Sequence, residues 1–289
     1  MARSAETQNI INQLAAIKQA NGQVTIQDLR QAFTNLVPTV STDLQNKNTL
    51  FYAGQNPTDH LYIAAKEISK DASNSLTIMG STKFSELMYA KEIIPYLEDI
   101  AEKNNIADYT DIMGKETIIN GVKSPALWDD ASEALAKASS GDVRTLTPFG
   151  TENKVFARVE LPALIENLNV KTIDGIPRET LKAMYDADIA NGLNHADAID
   201  NARAAVQAKS LVYASLIDEI TNANGKVTGY DVSRFIDGPN NLFDPLKIAT
   251  VTANADTSLL HSSLLGDPPS TALLNESQIG FLERGVAHL

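Results

Sequence analysis

The sequence predicts an α/β protein: a small parallel-sheet core flanked by helical segments at both ends of the chain. Two short apolar runs, Thr49–Ala53 and Ser75–Met79, each end in a glycine and each precede a helical pattern. Alternation of strand and helix in that order is the mark of βαβ units and a parallel sheet. Before residue 40 and after Ile173 the pattern is helical instead. The expected organisation is an N-terminal helical arm over 1–40, an α/β domain over 48–176, and a helical C-terminal extension with a loop-rich tail over 177–289.

Residues 5–19 read as a helix with Ile10, Leu14 and Ile17 on one face, ended by Asn21-Gly22, both tolerant of a left-handed backbone. After an extended Val24-Thr25, a second helix runs from about Gln27 to Leu36 and is closed by Pro38. Residues 40–48 are polar and read as a linker. The first strand leaves through Gly54, and Pro57-Thr58-Asp59 starts a helix carrying Leu61, Ala64, Ala65 and Ile68. The second strand leaves through Gly80, ahead of a long helix over Phe84–Lys103 with a kink at Pro95. Residues 104–125 read as irregular. Trp128 opens an amphipathic helix, followed by a small-residue turn, a short β run after Gly141, and a strand with Glu160 inside it. Further on come a β piece at Val170–Ile173 and helices over Arg178–Ile189 and from an Asn194 cap to about Ile220. A short helix over Gly229–Ile236 and a last one near Glu276–Val286 complete the expectation.

Composition narrows the function classes. Hydrophobic residues are 43% and charged residues 21% of 289, ordinary for a globular chain. The net charge of −12 argues against nucleic acid and anionic membrane surfaces as partners. No cysteine is present, which removes disulfides, thiol catalysis and Cys-ligated zinc. The four histidines (His60, His195, His261, His288) have no metal-ligand spacing, so no metal is expected. The N-terminus lacks the apolar stretch of a secretory signal, and no apolar run is long enough to span a membrane. The expected location is the cytoplasm as synthesised, with a specialised delivery route left open.

A weak repeat relates Ile17–Asp28 to Ile220–Asp231, each holding Ala-Asn-Gly-x-Val-Thr. Its outline is that of a calcium-binding helix–loop–helix, but the first ligand position holds isoleucine and other oxygen ligands are amides or missing. The repeat reads instead as two similar helix–turn–helix units whose Val-Thr pieces could pair, docking the N-terminal arm on the C-terminal helices.

Several residues are candidates for chemistry. Glu160 sits in the apolar frame Val-Phe-Ala-Arg-Val-Glu-Leu-Pro, where a carboxylate is costly to bury. It is either a strand-end partner of Arg158 or Lys154, or a charge placed to stabilise a developing cation. Trp128 is either a core residue or a stacking platform for a flat heteroaromatic ring. Phe51 and Tyr52 lie at the first strand's exit on opposite faces. Ser81, Thr82 and Lys83 come after the second exit, ahead of a helix, where backbone N–H groups suit phosphate.

The segment Trp128-x-x-x-Ser132-x-x-x-Ala136-x-Ala138, then Gly141-x-Val143, then Phe156-Ala-Arg-Val159-Glu160-Leu-Pro-Ala-Leu164, resembles the ADP-ribosyl cyclase / NAD glycohydrolase family. Leu50-Phe51-Tyr52-Ala53 is similar to the family's strand with a second pocket aromatic, Tyr52 standing for a tryptophan. Met79-Gly80 stands where the animal enzymes carry a Glu-Asp pair that affects hydrolysis against cyclisation. The likeness covers roughly Asn48–Ile173 and implies an ADP-ribosyl-cyclase-like core and NAD(P)+ as substrate, with no cofactor. It implies that Glu160 holds the ribose diol and stabilises the cationic transition state, and that Trp128 and Tyr52 stack on nicotinamide. It also implies that Phe51 and Phe156 line the pocket and that Ser81, Thr82, Lys83 and Lys154 contact the pyrophosphate. Because similar domains end bacterial polymorphic toxins, it extends to a toxin or effector with an inhibitor or delivery protein as partner. A non-catalytic NAD or ADP-ribose binding protein and a structural assembly protein remain as alternatives on the same scaffold.

Overall fold

The computed structural model describes residues 3–45, 47–52, 60–70, 76–147, 155–214, 217–225 and 227–232. The expectations for Gly54, Pro57–Asp59, Lys154 and the tail from 238, with its last helix, lie outside them.

Helix α1 (Ala5–Asn21) starts where the Ser4 hydroxyl accepts from Thr7 N and ends at Gly22, whose φ is 74° and whose N–H reaches Lys18 O. Helix α2 (Ile26–Asp43) opens with a capping box between Thr25 and Asp28. It does not stop at Pro38 but runs through it to Asp43, into the stretch expected to be a linker. The reason lies in packing: Val40 and Leu44 continue the stripe of Phe33 and Leu36, and both are 1% exposed. Burying two such side chains contributes about 3–5 kcal/mol, enough to offset the ~3 kcal/mol that an interior proline costs.

Strand β1 (Asn48–Tyr52), helix α3 (His60–Ser69) and strand β2 (Leu76–Ile78) come next. The helix expected over Phe84–Lys103 is instead two: α4 (Lys83–Met88) and α5 (Ile94–Lys103), separated by a 3₁₀ turn at Lys91–Ile93. Pro95 sits in the first turn of α5, the one place its missing N–H costs nothing. Residues 104–125 are ordered rather than irregular. They form α6 (Tyr109–Gly114) and a hairpin of β3 (Thr117–Ile119) and β4 (Val122–Ser124). Asn120 (φ 53°) and Gly121 (φ 77°) make its two-residue turn, both left-handed as a type I′ turn requires.

Helix α7 (Leu127–Ala138) and strand β5 (Gly141–Leu146) match the expected order. The next expectation fails: Phe156–Glu160 is not a strand but a π-helical turn that continues into α8 (Leu161–Glu166). Leu161 N–H reaches back to Phe156 O, an i→i−5 bond. A strand would have put Phe156, Arg158 and Glu160 on one face. A helical path instead gathers Phe156, Ala157, Leu161, Leu164 and Ile165 into one buried stripe. Pro162 accounts for the widening, because its ring clashes with the carbonyl four residues back in a regular α-helix.

Strands β6 (Val170–Ile173) and β7 (Ile176–Pro177) lead into α9 (Arg178–Ala190) and α10 (His195–Ala214). Asn194 caps α10 as expected, its side-chain oxygen accepting from Asp197 N at 3.0 Å. The chain after α10 is a hairpin of β8 (Asp218–Thr221) and β9 (Val227–Asp231), replacing the short helix expected from Gly229. Val227 pairs with Thr221 of its own hairpin, so the second Val-Thr piece does not serve to dock the N-terminal arm.

The chain divides into two compact units: Met1–Gln45 with Met79–Ser139, and Asn46–Ile78 with Ser140–Leu289. The first is helical, with α1, α2, α4 and α7 sharing a core that includes Leu14, Phe33, Phe84 and Leu135. The second unit holds a five-stranded sheet in the order β2-β1-β5-β6-β7, parallel except for β7. Among the described residues no helix is long and apolar enough to cross a membrane.

Candidate functional site

The strand order turns between β1 and β5: from β1 the chain steps outward to β2, and from β5 it steps the other way to β6. In open parallel sheets ligands sit at the carboxyl ends of the strands that flank such a switch point. The ends here are Tyr52 and Leu146, which are partners in register. Phe51 is buried in the sheet and Tyr52 is half-buried, on opposite faces as expected.

The connection leaving β5 at this edge carries the π turn. Within it Phe156 is buried, and Glu160 is only 7% exposed although it lies between apolar neighbours on the buried stripe. Wider π turns inside helices concentrate at functional sites, because they re-aim one side chain without ending the helix. A carboxylate is costly to bury in such a stripe.

The carboxyl end of β5 is fixed by a second set of bonds. Asp174, fully buried with φ 50°, accepts from Thr145 N at 2.8 Å and from Thr145 Oγ1 at 2.5 Å. Ser210 of α10 donates to Thr145 O at 3.1 Å, and its oxygen accepts from Thr147 N at 2.5 Å. The last residues of the central strand are thus held from two elements.

Trp128 and the Ser81–Lys83 group belong to the first unit, whereas Phe51, Tyr52, Phe156 and Glu160 belong to the second. Trp128 opens α7 as expected and is half-buried, its ring edge-on to Tyr89 at 5.6 Å. Ser132, one turn on, is buried. Nearby, Arg30 Nε pairs with Asp130 at 3.1 Å and its NH2 donates to Ser124 Oγ and Pro125 O. Burial pushes the Asp130 carboxyl up to about 6, only partly offset by Arg30.

The phosphate-binding expectations meet other partners here. Thr82 caps α4: its hydroxyl donates to Met79 O at 2.7 Å and accepts from Ser85 N. The Lys83 ammonium lies 2.5 Å from Asp43 and 3.8 Å from Glu6. Ser81 is exposed at the end of the 3₁₀ turn Met79–Ser81.

Two residues escaped the sequence reading, Asp174 and Arg144. Arg144 is 1% exposed in the middle of β5. The signal was present, because an arginine inside Asp-Val-Arg-Thr-Leu is as awkward as a glutamate inside an apolar strand. Among the described residues no cluster of three or more His, Asp or Glu could hold a metal ion. No protein-family model, curated protein or solved structure matches this chain.

Proposed function

We propose that the chain is an NAD(P)+ glycohydrolase that cleaves the nicotinamide–ribose bond through an oxocarbenium-like transition state. The observation that carries this reading is the Glu160 carboxylate, buried in a π turn on the connection from the carboxyl edge of the sheet. Nicotinamide is cationic in NAD and leaves neutral, so its departure needs no general acid. What it needs is a fixed negative charge beside the developing ribosyl cation, away from bulk water. Glu160 supplies that charge and accepts from the ribose hydroxyls, while Tyr52 at the end of β1 lines the cleft. The sequence resemblance supports an ADP-ribosyl-cyclase-like core. Water captures the cation; capture by the adenine of the same substrate gives the cyclic product instead. A role as a toxin or effector, with an inhibitor or delivery protein, rests on the same resemblance.

The test is nicotinamide release from NAD(P)+ by the full chain. Turnover at micromolar enzyme supports the reading, and its absence overturns it. A second reading, a non-catalytic NAD or ADP-ribose binding protein, draws on Met79-Gly80 standing in place of an acidic pair. Calorimetric binding of NAD without nicotinamide release would favour it.

A further inference from the structure

Arg144 is among the largest fully buried side chains of the chain. Among the described residues its only hydrogen bond is a 3.5 Å contact from NH1 to the neighbouring Val143 O, and its Nε has no partner. A guanidinium does not shed its proton to escape burial, so the charge persists inside the fold. An unpaired buried cation costs several kcal/mol, and chains keep one only when something is returned for it.

Two other arginines of this unit show what a satisfied one looks like. Arg203 pairs with Asp200 at 2.7 Å, and Arg178 donates to Ile165 O at 2.8 Å. Asp174, a buried carboxylate of this unit, is bonded to Thr145, and Thr145 and Arg144 face opposite sides of the sheet. Arg144 lies in register with Leu50 of β1, two residues before β5 ends. It therefore stands on a strand of the switch point, close to the edge where a parallel sheet takes ligands. In a chain with net charge −12, attraction for an anion has to come from a local cation such as this one.

We propose that Arg144 is a phosphate-recognising residue, holding a phosphate of the nucleotide ligand with the donors that the protein leaves unpaired. The identity of the phosphate carrier as a dinucleotide rests on the glycohydrolase reading; the need of Arg144 for an anion does not. A planar fork of N–H donors matches two phosphate oxygens at once, and low local dielectric strengthens the contact.

Calorimetry on the full chain tests this with inorganic phosphate, AMP, ADP-ribose and adenosine as probes, against Arg144→Met and Arg144→Lys. The parent should bind AMP and ADP-ribose about 30-fold more tightly than adenosine, the scale of a charged hydrogen-bonded contact. Arg144→Met should reduce that preference to about 3-fold or less, with Arg144→Lys between. Binding of inorganic phosphate alone by the parent, lost in Arg144→Met, locates the contact on phosphate rather than on the nucleoside. Ligand-free Arg144→Met should melt at or above the parent, because an unpaired buried charge has been replaced by an apolar chain of similar length. An unchanged preference, or a melting temperature below the parent, overturns the proposal and marks Arg144 as structural. Nucleotide binding that depends on Arg144 without NAD turnover sinks the glycohydrolase reading and leaves this one. Turnover with a KM indifferent to Arg144→Met does the reverse.

Discussion

Residues 127–138 and 156–166 both hold an apolar stripe at helical spacing, yet only the first forms a regular helix. Helix α7 has no proline and closes its hydrogen bonds normally; its aromatic residue rests against another aromatic ring. The second segment must accommodate Pro162 and does so by widening one turn, with a carboxylate left on the buried side. Natural sequences break local rules at working sites and compensate elsewhere. The irregular segment is therefore where we propose the chemistry, while the regular one is explained by packing.

The largest expected effect probes whether the buried stripe holds the irregular turn. Leu161 is 0% exposed, and Leu161→Ala should cost about 2–5 kcal/mol in urea unfolding. A loss below about 1 kcal/mol would show that the turn is held by something else. Next, Pro162→Ala lets the segment close i→i−4 bonds and rotates Glu160 away from its position. Nicotinamide release should fall on the order of 10-fold with the melting temperature retained, since small displacements of a catalytic group are costly. Parent-level turnover in Pro162→Ala would break the link between the π turn and function.

In the regular segment the effects are smaller. Trp128→Phe should cost about 1 kcal/mol of stability through its contact with Tyr89. A much greater loss of turnover than of stability would move Trp128 from packing to chemistry. Asp130 gives a pH-dependent test of the same helix. Its folded pKa, about 6, lies above its ordinary 3.8, so the folded chain binds the extra proton between those values. Stability from this group is full below that window and is lost as pH rises through about 6. Asp130→Asn should be more stable than the parent at pH 7.5 by about 1 kcal/mol, after discounting for solvent screening, and no more stable at pH 4. A gain independent of pH would contradict the assignment.

Much of the fold was legible because the signals were local and redundant. The Gly22 end of α1, the Asn194 cap and the β runs that form β1, β2, β5 and β6 could all be read from turn residues and periodicity. Pro38 misled because tertiary burial of Val40 and Leu44 outweighs a preference that acts over one turn. The repeat shows the limit most clearly. Ala-Asn-Gly-x-Val-Thr joins two helices at 19–28 but closes a β-hairpin at 218–231, with Gly22 at φ 74° and Gly225 at φ 73° alike. The turn is the same, and the residues on its C-terminal side decide between helix and strand. After Thr25 come Ile26, Leu29 and Phe33 at helical spacing, whereas Tyr230 and Val232 are buried in alternation. Of the site, the order of Trp128 and Glu160 was readable, but the backbone under Glu160 was not. Arg144 stood in the sequence as an arginine inside an apolar run, but its lack of a partner on Nε shows only in the structure.

The central claim is that the Glu160 carboxylate, not its bulk, performs the reaction. Glu160→Gln keeps size and hydrogen-bonding atoms and removes only the charge, so nicotinamide release by this variant tests it most directly. Turnover should fall on the order of 10²–10³ while NAD affinity and melting temperature stay near the parent's. Turnover within a few-fold of the parent's would contradict the claim.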